Sequence, residues 1–367
     1  MRQAHAESPC AHPVPGTDAG HVDSIPASAP PPVVDGVSAA VGNTPLVRLQ
    51  HLFPDSGVEV LAKLESVNPG GSTKDRPALA MVRDALATGR LRPGGTVVES
   101  SSGNLGVALA RVCTAHGLRF VCVVDARTNA TTVRTIEALG GEVDLVSEPD
   151  PDTGDLLTAR LQRVQRLLVE IPGAVNLHQY GNPANPGAHR DGTMREIAEA
   201  LDHRLDVLAA ATSTVGTLAG CAAYLRAHRM DTRLLAVDAE GSVLFGGTAA
   251  PRPLPGLGAG VVTDHSRTVE PDAVHRVSGR DCVVGARLLA RREGILAGAS
   301  TGGIVAALGR TVADLPEGSR VVFVVHDGGA PYLETVYDDA WVAATLEVDT
   351  AGLTAATAAL QEAASRA

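Results

Sequence analysis

The sequence predicts an α/β fold of two domains, each built on a helix-covered, mainly parallel sheet. Three observations carry this. From Val58 onward, short apolar runs recur without strict alternation, as strands buried on both faces require. Amphipathic stretches at helical spacing alternate with these runs, and several stop at a glycine. Aromatics make up only 2% of the chain, so the core must be assembled from Val, Leu, Ile and Ala.

The elements follow in order. VEVLAKLE (58–65) reads as a strand and RPALAMVRDALATG (76–89) as a helix ended by Gly89. GTVVES (95–100), LRFVCVVD (118–125) and EVDLVS (142–147) read as strands. The stretches 104–117, 131–141 and 156–171 between and after them carry helical periodicity. The second half repeats the rhythm, with strands at 205–211, 232–240 and 319–327 and helices at 215–228, 285–294 and 303–315. An Ala-rich tail beyond Trp341 reads as helical. Residues 1–35, rich in Pro, Ala, Ser and Asp, read as a disordered extension without the apolar core of a signal peptide.

Composition excludes several functions. The net charge is −10 and no Lys/Arg-rich run offsets it, which argues against nucleic acid as a partner. No apolar run reaches membrane-span length. The five cysteines (Cys10, Cys113, Cys122, Cys221 and Cys282) are widely spaced and form no CxxC, so small buried hydrophobes are expected rather than disulfides or metal ligands. A reducing cytoplasm is the expected setting.

The lysine count is sharper. Arginine supplies nearly all the positive charge, and the chain holds only Lys63 and Lys74. Lys63 lies mid-strand and reads as a snorkelling or edge side chain. Lys74 sits in NPGGSTKDR (68–76), where a Gly-rich turn opens a helix. The positive potential of a helix start disfavours an ammonium, which suits a Schiff-base lysine, because only the neutral amine attacks a carbonyl. Three further segments each join a strand or loop to a helix. ESSSGNLG (99–106) offers backbone N–H groups and hydroxyls for a carboxylate, with Asn104 able to donate to a phenolate oxygen. STVGT (213–217) has the make-up of a phosphate site. In GASTGG (298–303), Ser300 is able to meet a ring nitrogen. Taken singly, each of these three is equally a capping turn.

In their order along the chain, the four motifs resemble the fold-type II pyridoxal-phosphate enzymes, the family of cysteine synthase and cystathionine β-synthase. The resemblance runs from VGNTPL (41–46) to about Trp341. It implies a homodimer whose cofactor, pyridoxal 5′-phosphate, binds in the cleft between a larger domain (36–80 and 178–345) and a small mobile one (81–177). A tail covers 346–367. Carried over position by position, Lys74 would hold the cofactor as a Schiff base and Asn104 its phenolic oxygen. Ser213, Thr214, Val215, Gly216 and Thr217 would hold its phosphate, and Ser300 would face its ring nitrogen. Ser101, Ser102 and Gly103, with Gln179 of HQYGNPANP (178–186), would grip a substrate carboxylate. A neutral hydroxyl at the ring nitrogen makes a milder electron sink than a carboxylate partner would. That favours elimination and replacement over transamination.

The stretches 122–129, 147–168 and 237–247, and Leu105 in SSGNLG, resemble one branch of the family more closely. This branch serves 2,3-diaminopropionate biosynthesis for siderophores and peptide antibiotics. It makes N-(2-amino-2-carboxyethyl)-L-glutamate from O-phospho-L-serine and L-glutamate. The resemblance puts an arginine of the 156–171 helix, Tyr180 and Ser213 near the substrate phosphate, where a fork-shaped guanidinium suits a dianion. Arg160 matches across a one-residue gap, and Arg163 and Arg166 share the segment. The loop HDGGAPY (326–332) departs from the family's usual charged pair with Ala330 and Pro331. His326 there reads as a structural histidine after a strand, with a proton shuttle as the alternative. The alternatives are a cysteine synthase using O-acetylserine or O-phosphoserine with sulfide, and a cofactor-binding protein that has lost catalysis.

Overall fold

The computed structural model of the protein describes residues 33–365, of which Asp35 to the end form one compact unit. The expected N-terminal extension, up to residue 32, and Cys10 lie outside the described residues, as do the last two residues of the tail.

Two sheets organise the unit. The larger contains β1 (Leu46–Arg48), β2 (Glu59–Leu64), β6 (Val207–Ala211), β7 (Arg233–Ala239), β8 (Ala273–Val277) and β9 (Arg320–Val325), in the order β1-β2-β9-β6-β7-β8. Only the β1–β2 pair is antiparallel. The smaller is parallel throughout, with β3 (Thr96–Ser100), β4 (Arg119–Asp125) and β5 (Glu142–Val146) in that order.

The apolar runs do not alternate with polar residues because both faces of each sheet are covered. In β9, Val321, Phe323 and Val325 face one core while Val322 and Val324 face another. The first core is closed by α8 (Gly279–Glu293), α9 (Ala299–Gly309) and α11 (Thr350–Ala364). The second is closed by α6 (Arg195–Ala200) and α7 (Gly216–Ala227). In the small sheet, Val97, Phe120, Cys122 and Val124 pack against α1 (Asp75–Ala87) and α2 (Asn104–Ala115). On its other face, Val98, Val121 and Val123 meet Val164 and Leu167 of α4 (Leu156–Glu170). Fully burying each such side chain contributes about 1.5–3 kcal/mol.

The predicted strands and helices form near their expected positions, with several additions. The strands β1 and β8, the short helices α5 (Ala184–Ala188) and α6, and a π-turn at His189–Met194 were not foreseen. The helix expected at 303–315 starts earlier, at Ala299, and ends at Gly309. The cause is packing. A Cβ at Gly302 would lie 1.9 Å from the carbonyl oxygen of Cys282, and one at Gly285 would lie 2.0 Å from that of Gly302. The glycines of GASTGG are therefore where α9 crosses α8, not a loop. Likewise α8 begins at Gly279, under a capping box in which Ser278 accepts from the N–H of Asp281 and the Asp281 side chain from that of Ser278. The tail is helical, as α10 (Asp339–Leu346) and α11. Cys113, Cys122, Cys221 and Cys282 are buried free thiols. Among the described residues no helix is long and apolar enough to cross a membrane, and no cluster of metal-ligating side chains occurs.

Candidate active site

Parallel strands deliver their carboxyl ends to one side of a sheet, where ligands bind. Here β2, β3, β6 and β9 run into the segments that line a single cavity, whose walls include Lys74, Ser101, Asn104, Ser213, Ser300 and Asp327.

Lys74 stands at the N-cap of α1. The turn before it is held by Asp75, whose carboxylate accepts from the N–H of Gly70 at 2.8 Å. A Cβ at Gly70 would fall 2.2 Å from that carboxylate, and Gly71 has φ +78°, so the turn needs both glycines. Burial lowers the Lys74 pKa, and the charge of Asp327 opposes this in part. Desolvation is therefore the largest cause. The Lys74 amine has no hydrogen-bond partner among the described residues, so it is left to face the cavity.

Lys63 corrects its expectation. It is 1% exposed, on an interior strand, and its amine donates to the carbonyl of Thr44 at 2.6 Å and to Glu196 at 2.7 Å. It is neither snorkelling nor on an edge. Arg76 joins it, pairing with Glu65 at 2.6 Å and Glu196 at 2.7 Å. Burial pushes the Glu196 carboxyl up, but the hydrogen bonds and charges of Arg76 and Lys63 win and hold it at about 2. This network fixes the underside of the Lys74 turn. It was invisible locally, because Glu196 lies far along the chain.

The 99–106 segment turns from β3 into α2. The Ser101 hydroxyl accepts from the N–H of Gly106 at 3.0 Å, so it caps its own turn. Ser102 and Gly103 line the cavity. The Gln179 amide donates to the carbonyl of Ser100 at 3.2 Å and also lines the cavity. Asn104 donates to Asp327 at 2.8 Å, and the Tyr332 hydroxyl donates to the same carboxylate at 2.7 Å. The second N–H of Asn104 remains for a ligand. Asp327, which the sequence reading passed over, thus orients Asn104 and sits beside Lys74. Its position directly beyond β9 was the available signal.

Between β6 and α7, residues 213–217 wrap the start of a helix. Val215 takes the left-handed region at φ 67°, and Gly216 is required because a Cβ would lie 2.1 Å from the side-chain oxygen of Asn185. Thr217 Oγ1 lies 3.3 Å from Nε2 of the buried His189. Burial, with the charges of Lys74 and Arg76, pushes the His189 pKa well below its ordinary value. Ser300 lies in the first turn of α9, at the cavity wall. His326 accepts from the N–H of Ala211 through Nε2 at 3.1 Å, and burial together with Lys74 pushes its pKa down to about 3, which is a structural role.

Arg160 and Tyr180 also reach the cavity, with Ser213 on its wall. Arg160 Nε lies 3.2 Å from Asp125, an ion pair at a poor hydrogen-bonding angle. Arg163 instead faces away, paired with Asp144 and Glu170. Burial raises the Tyr180 pKa; Arg160 draws it down, Glu99 pushes it up and Arg252 draws it down.

The donor set on this cavity comprises an unpartnered amine whose charge is disfavoured, an amide beside it, a helix start lined by hydroxyls, and one isolated hydroxyl on another helix. Those are the groups needed by a phosphorylated aromatic aldehyde, and they fit pyridoxal phosphate. A cavity of this make-up between parallel sheets defines an enzyme that works through a Schiff base.

Residues 37–327 match the family described as pyridoxal-phosphate dependent enzyme, and the chain belongs to it. Its cofactor is pyridoxal phosphate. The chain is 43% identical over 311 residues to N-(2-amino-2-carboxyethyl)-L-glutamate synthase of Ralstonia nicotianae, covering 85% of this chain and 92% of that protein. Among solved structures it resembles an O-acetylserine dependent cystathionine beta-synthase from Helicobacter pylori, with TM-score 0.77 and 30% identity over 83% of this chain and 98% of that one. It also resembles an O-ureido-L-serine synthase, with TM-score 0.77 and 35% identity over 85% of this chain and all of the other.

Proposed function

We propose that the protein joins O-phospho-L-serine and L-glutamate to form N-(2-amino-2-carboxyethyl)-L-glutamate and phosphate, a step toward L-2,3-diaminopropionate. The 43% identity to a synthase of that product, over most of both chains, carries this reading. The Arg160, Tyr180 and Ser213 groups on the cavity that holds Lys74 support a phosphate leaving group.

In this reading Lys74 anchors the cofactor, Asn104 its phenolic oxygen, residues 213–217 its phosphate, and Ser300 faces its ring nitrogen. When bound, pyridoxal phosphate supplies the carbonyl that captures the substrate amine and the conjugated ring that takes up the electron pair left at Cα. Ser102, Gly103 and Gln179, with the N–H groups of the turn that Ser101 caps, hold the substrate carboxylate and orient its Cα hydrogen toward Lys74. The neutral amine of Lys74 removes that proton and later returns it. Arg160 donates to the phosphate as its negative charge grows on departure, with Tyr180 and Ser213 beside it. The glutamate amine then bonds to Cβ. The 81–177 part is the mobile body whose closure excludes water. A cytoplasmic homodimer is the assembly proposed.

Incubating the holoenzyme with O-phospho-L-serine and either L-glutamate or sulfide, with products read by mass spectrometry, tests the reading. The expected result is phosphate release with the glutamate adduct. Cysteine as the dominant product would overturn it in favour of a cysteine synthase.

A further inference from the structure

A second chamber of about 470 Å³ opens beside the cavity and shares with it Ser102, Gly103, Asn104, Arg160, Pro255 and Gly256. Its charged lining is unusual for a chain of net charge −10: Arg127, Arg160 and Arg252 face it against a single carboxylate, Asp125. Asp125 is already committed, lying 3.2 Å from Arg160 and 3.6 Å from Arg127. Arg252 has no carboxylate partner among the described residues, and its Nη1 is buried without a hydrogen bond. Arg252 is half-buried, and a guanidinium nitrogen that is desolvated without a partner favours an anion that completes it. Its backbone is stiff, because Pro251 and Pro253 flank it and fix their own φ angles. Pro253, Leu254 and Pro255 continue the wall. The loop thus presents Arg252 half-buried at the chamber wall, while Arg127 is exposed at the rim.

We infer that this chamber is the binding site of the second substrate, and that it selects an amino acid bearing two carboxylates, with Arg252 as the anchoring fork and Arg127 as the rim contact. The inference rests on the proposed function and adds to it the residues that would choose glutamate over a small nucleophile. Arg160 serves the donor phosphate, which leaves Arg252, without a carboxylate partner, and Arg127, whose 3.6 Å contact with Asp125 is shared with Arg160, as the cations for two carboxylates. The chamber meets the catalytic cavity at Ser102–Asn104, so an amino acid held there by its carboxylates presents its amine toward the reacting carbon. Sulfide carries no carboxylate and gains nothing from either arginine.

The test uses the holoenzyme with L-glutamate and O-phospho-L-serine each varied in turn while the other is held fixed, comparing wild type with Arg252→Gln, Arg252→Lys and Arg127→Gln. The cofactor's visible spectrum verifies that each variant is folded and loaded. Losing a charge-assisted contact should raise KM for glutamate about tenfold to hundredfold in Arg252→Gln, with kcat changed much less. Arg252→Lys should recover part of the loss, and Arg127→Gln should show a smaller rise. Glutarate, which has both carboxylates and no amine, should compete with glutamate in wild type and bind correspondingly more weakly to Arg252→Gln. An unchanged KM for glutamate in Arg252→Gln would overturn the inference. So would a rise confined to O-phospho-L-serine, which would assign the chamber to departing phosphate. If wild type itself forms no adduct with glutamate, it is the proposed function that fails, a result read before any variant is made.

Discussion

The two lysines of this chain sit in opposite kinds of burial. Lys63 is sealed within β2, with its charge matched by Glu196 and its amine saturated by Glu196 and the carbonyl of Thr44. Lys74, eleven positions on, faces a cavity with no hydrogen-bond partner among the described residues. Burial depresses both amines, but at Lys63 the hydrogen bond and charge of Glu196 oppose it, whereas at Lys74 only the charge of Asp327 does, without a hydrogen bond. A buried lysine becomes a reactive one when it is desolvated without being paired. The same residue type, desolvated and paired, is structural.

The largest effect expected from breaking this contrast is at Lys74. Lys74→Ala should lower steady-state phosphate release from O-phospho-L-serine at least about 10²–10⁴-fold, the usual contribution of a positioned proton-transfer group. Stability to urea should change little. Lys63→Met should do the reverse. Removing one partner of a buried ion pair costs about 3–5 kcal/mol, visible as a lower urea midpoint, while turnover per folded molecule stays close to wild type. A smaller effect is expected at Arg160, where Arg160→Ala should reduce kcat/KM for O-phospho-L-serine about tenfold to hundredfold. Donor consumption from O-acetylserine should hardly change, since that leaving group carries no such charge. Equal losses for both donors would make Arg160 a structural arginine.

The network around Lys63 also predicts a pH signature. The Glu196 carboxyl sits near 2 in the folded protein, below its ordinary value of 4.5. Its contribution to stability is therefore present above about pH 4.5 and lost as pH falls toward 2. Urea midpoints measured across that window should fall more steeply for wild type than for Glu196→Gln.

Much of this was legible in the sequence. The buried strands announced themselves because both faces of each sheet are covered, and Lys74, Asn104, Ser213 and Ser300 do converge on one cavity. What was missed depends on contacts distant in the chain. β8 reads AVHRV, half-buried with His275 and Arg276 inside it, so its pattern lacks an apolar run. α5 is built from Ala-Asn-Pro-Gly-Ala, whose three central residues are poor helix formers, so the segment carries no helix signal of its own. The glycines around Ser300 look like a turn until α8 is laid against them. The partner of Lys63 lies on α6 and the unpaired Arg252 on a proline-rich loop, and no local pattern links either to the site. The capping box at Ser278 and the strand-end position of Asp327 were readable signals.

The most direct test of the contrast is to ask which lysine carries the cofactor. Reducing the holoenzyme with borohydride, digesting it and mapping the phosphopyridoxyl group by mass spectrometry gives the answer in one experiment. The label is expected on Lys74 alone, with the peptide containing Lys63 unmodified. Label on Lys63, or on neither lysine in a protein that retains its visible absorbance, would contradict it.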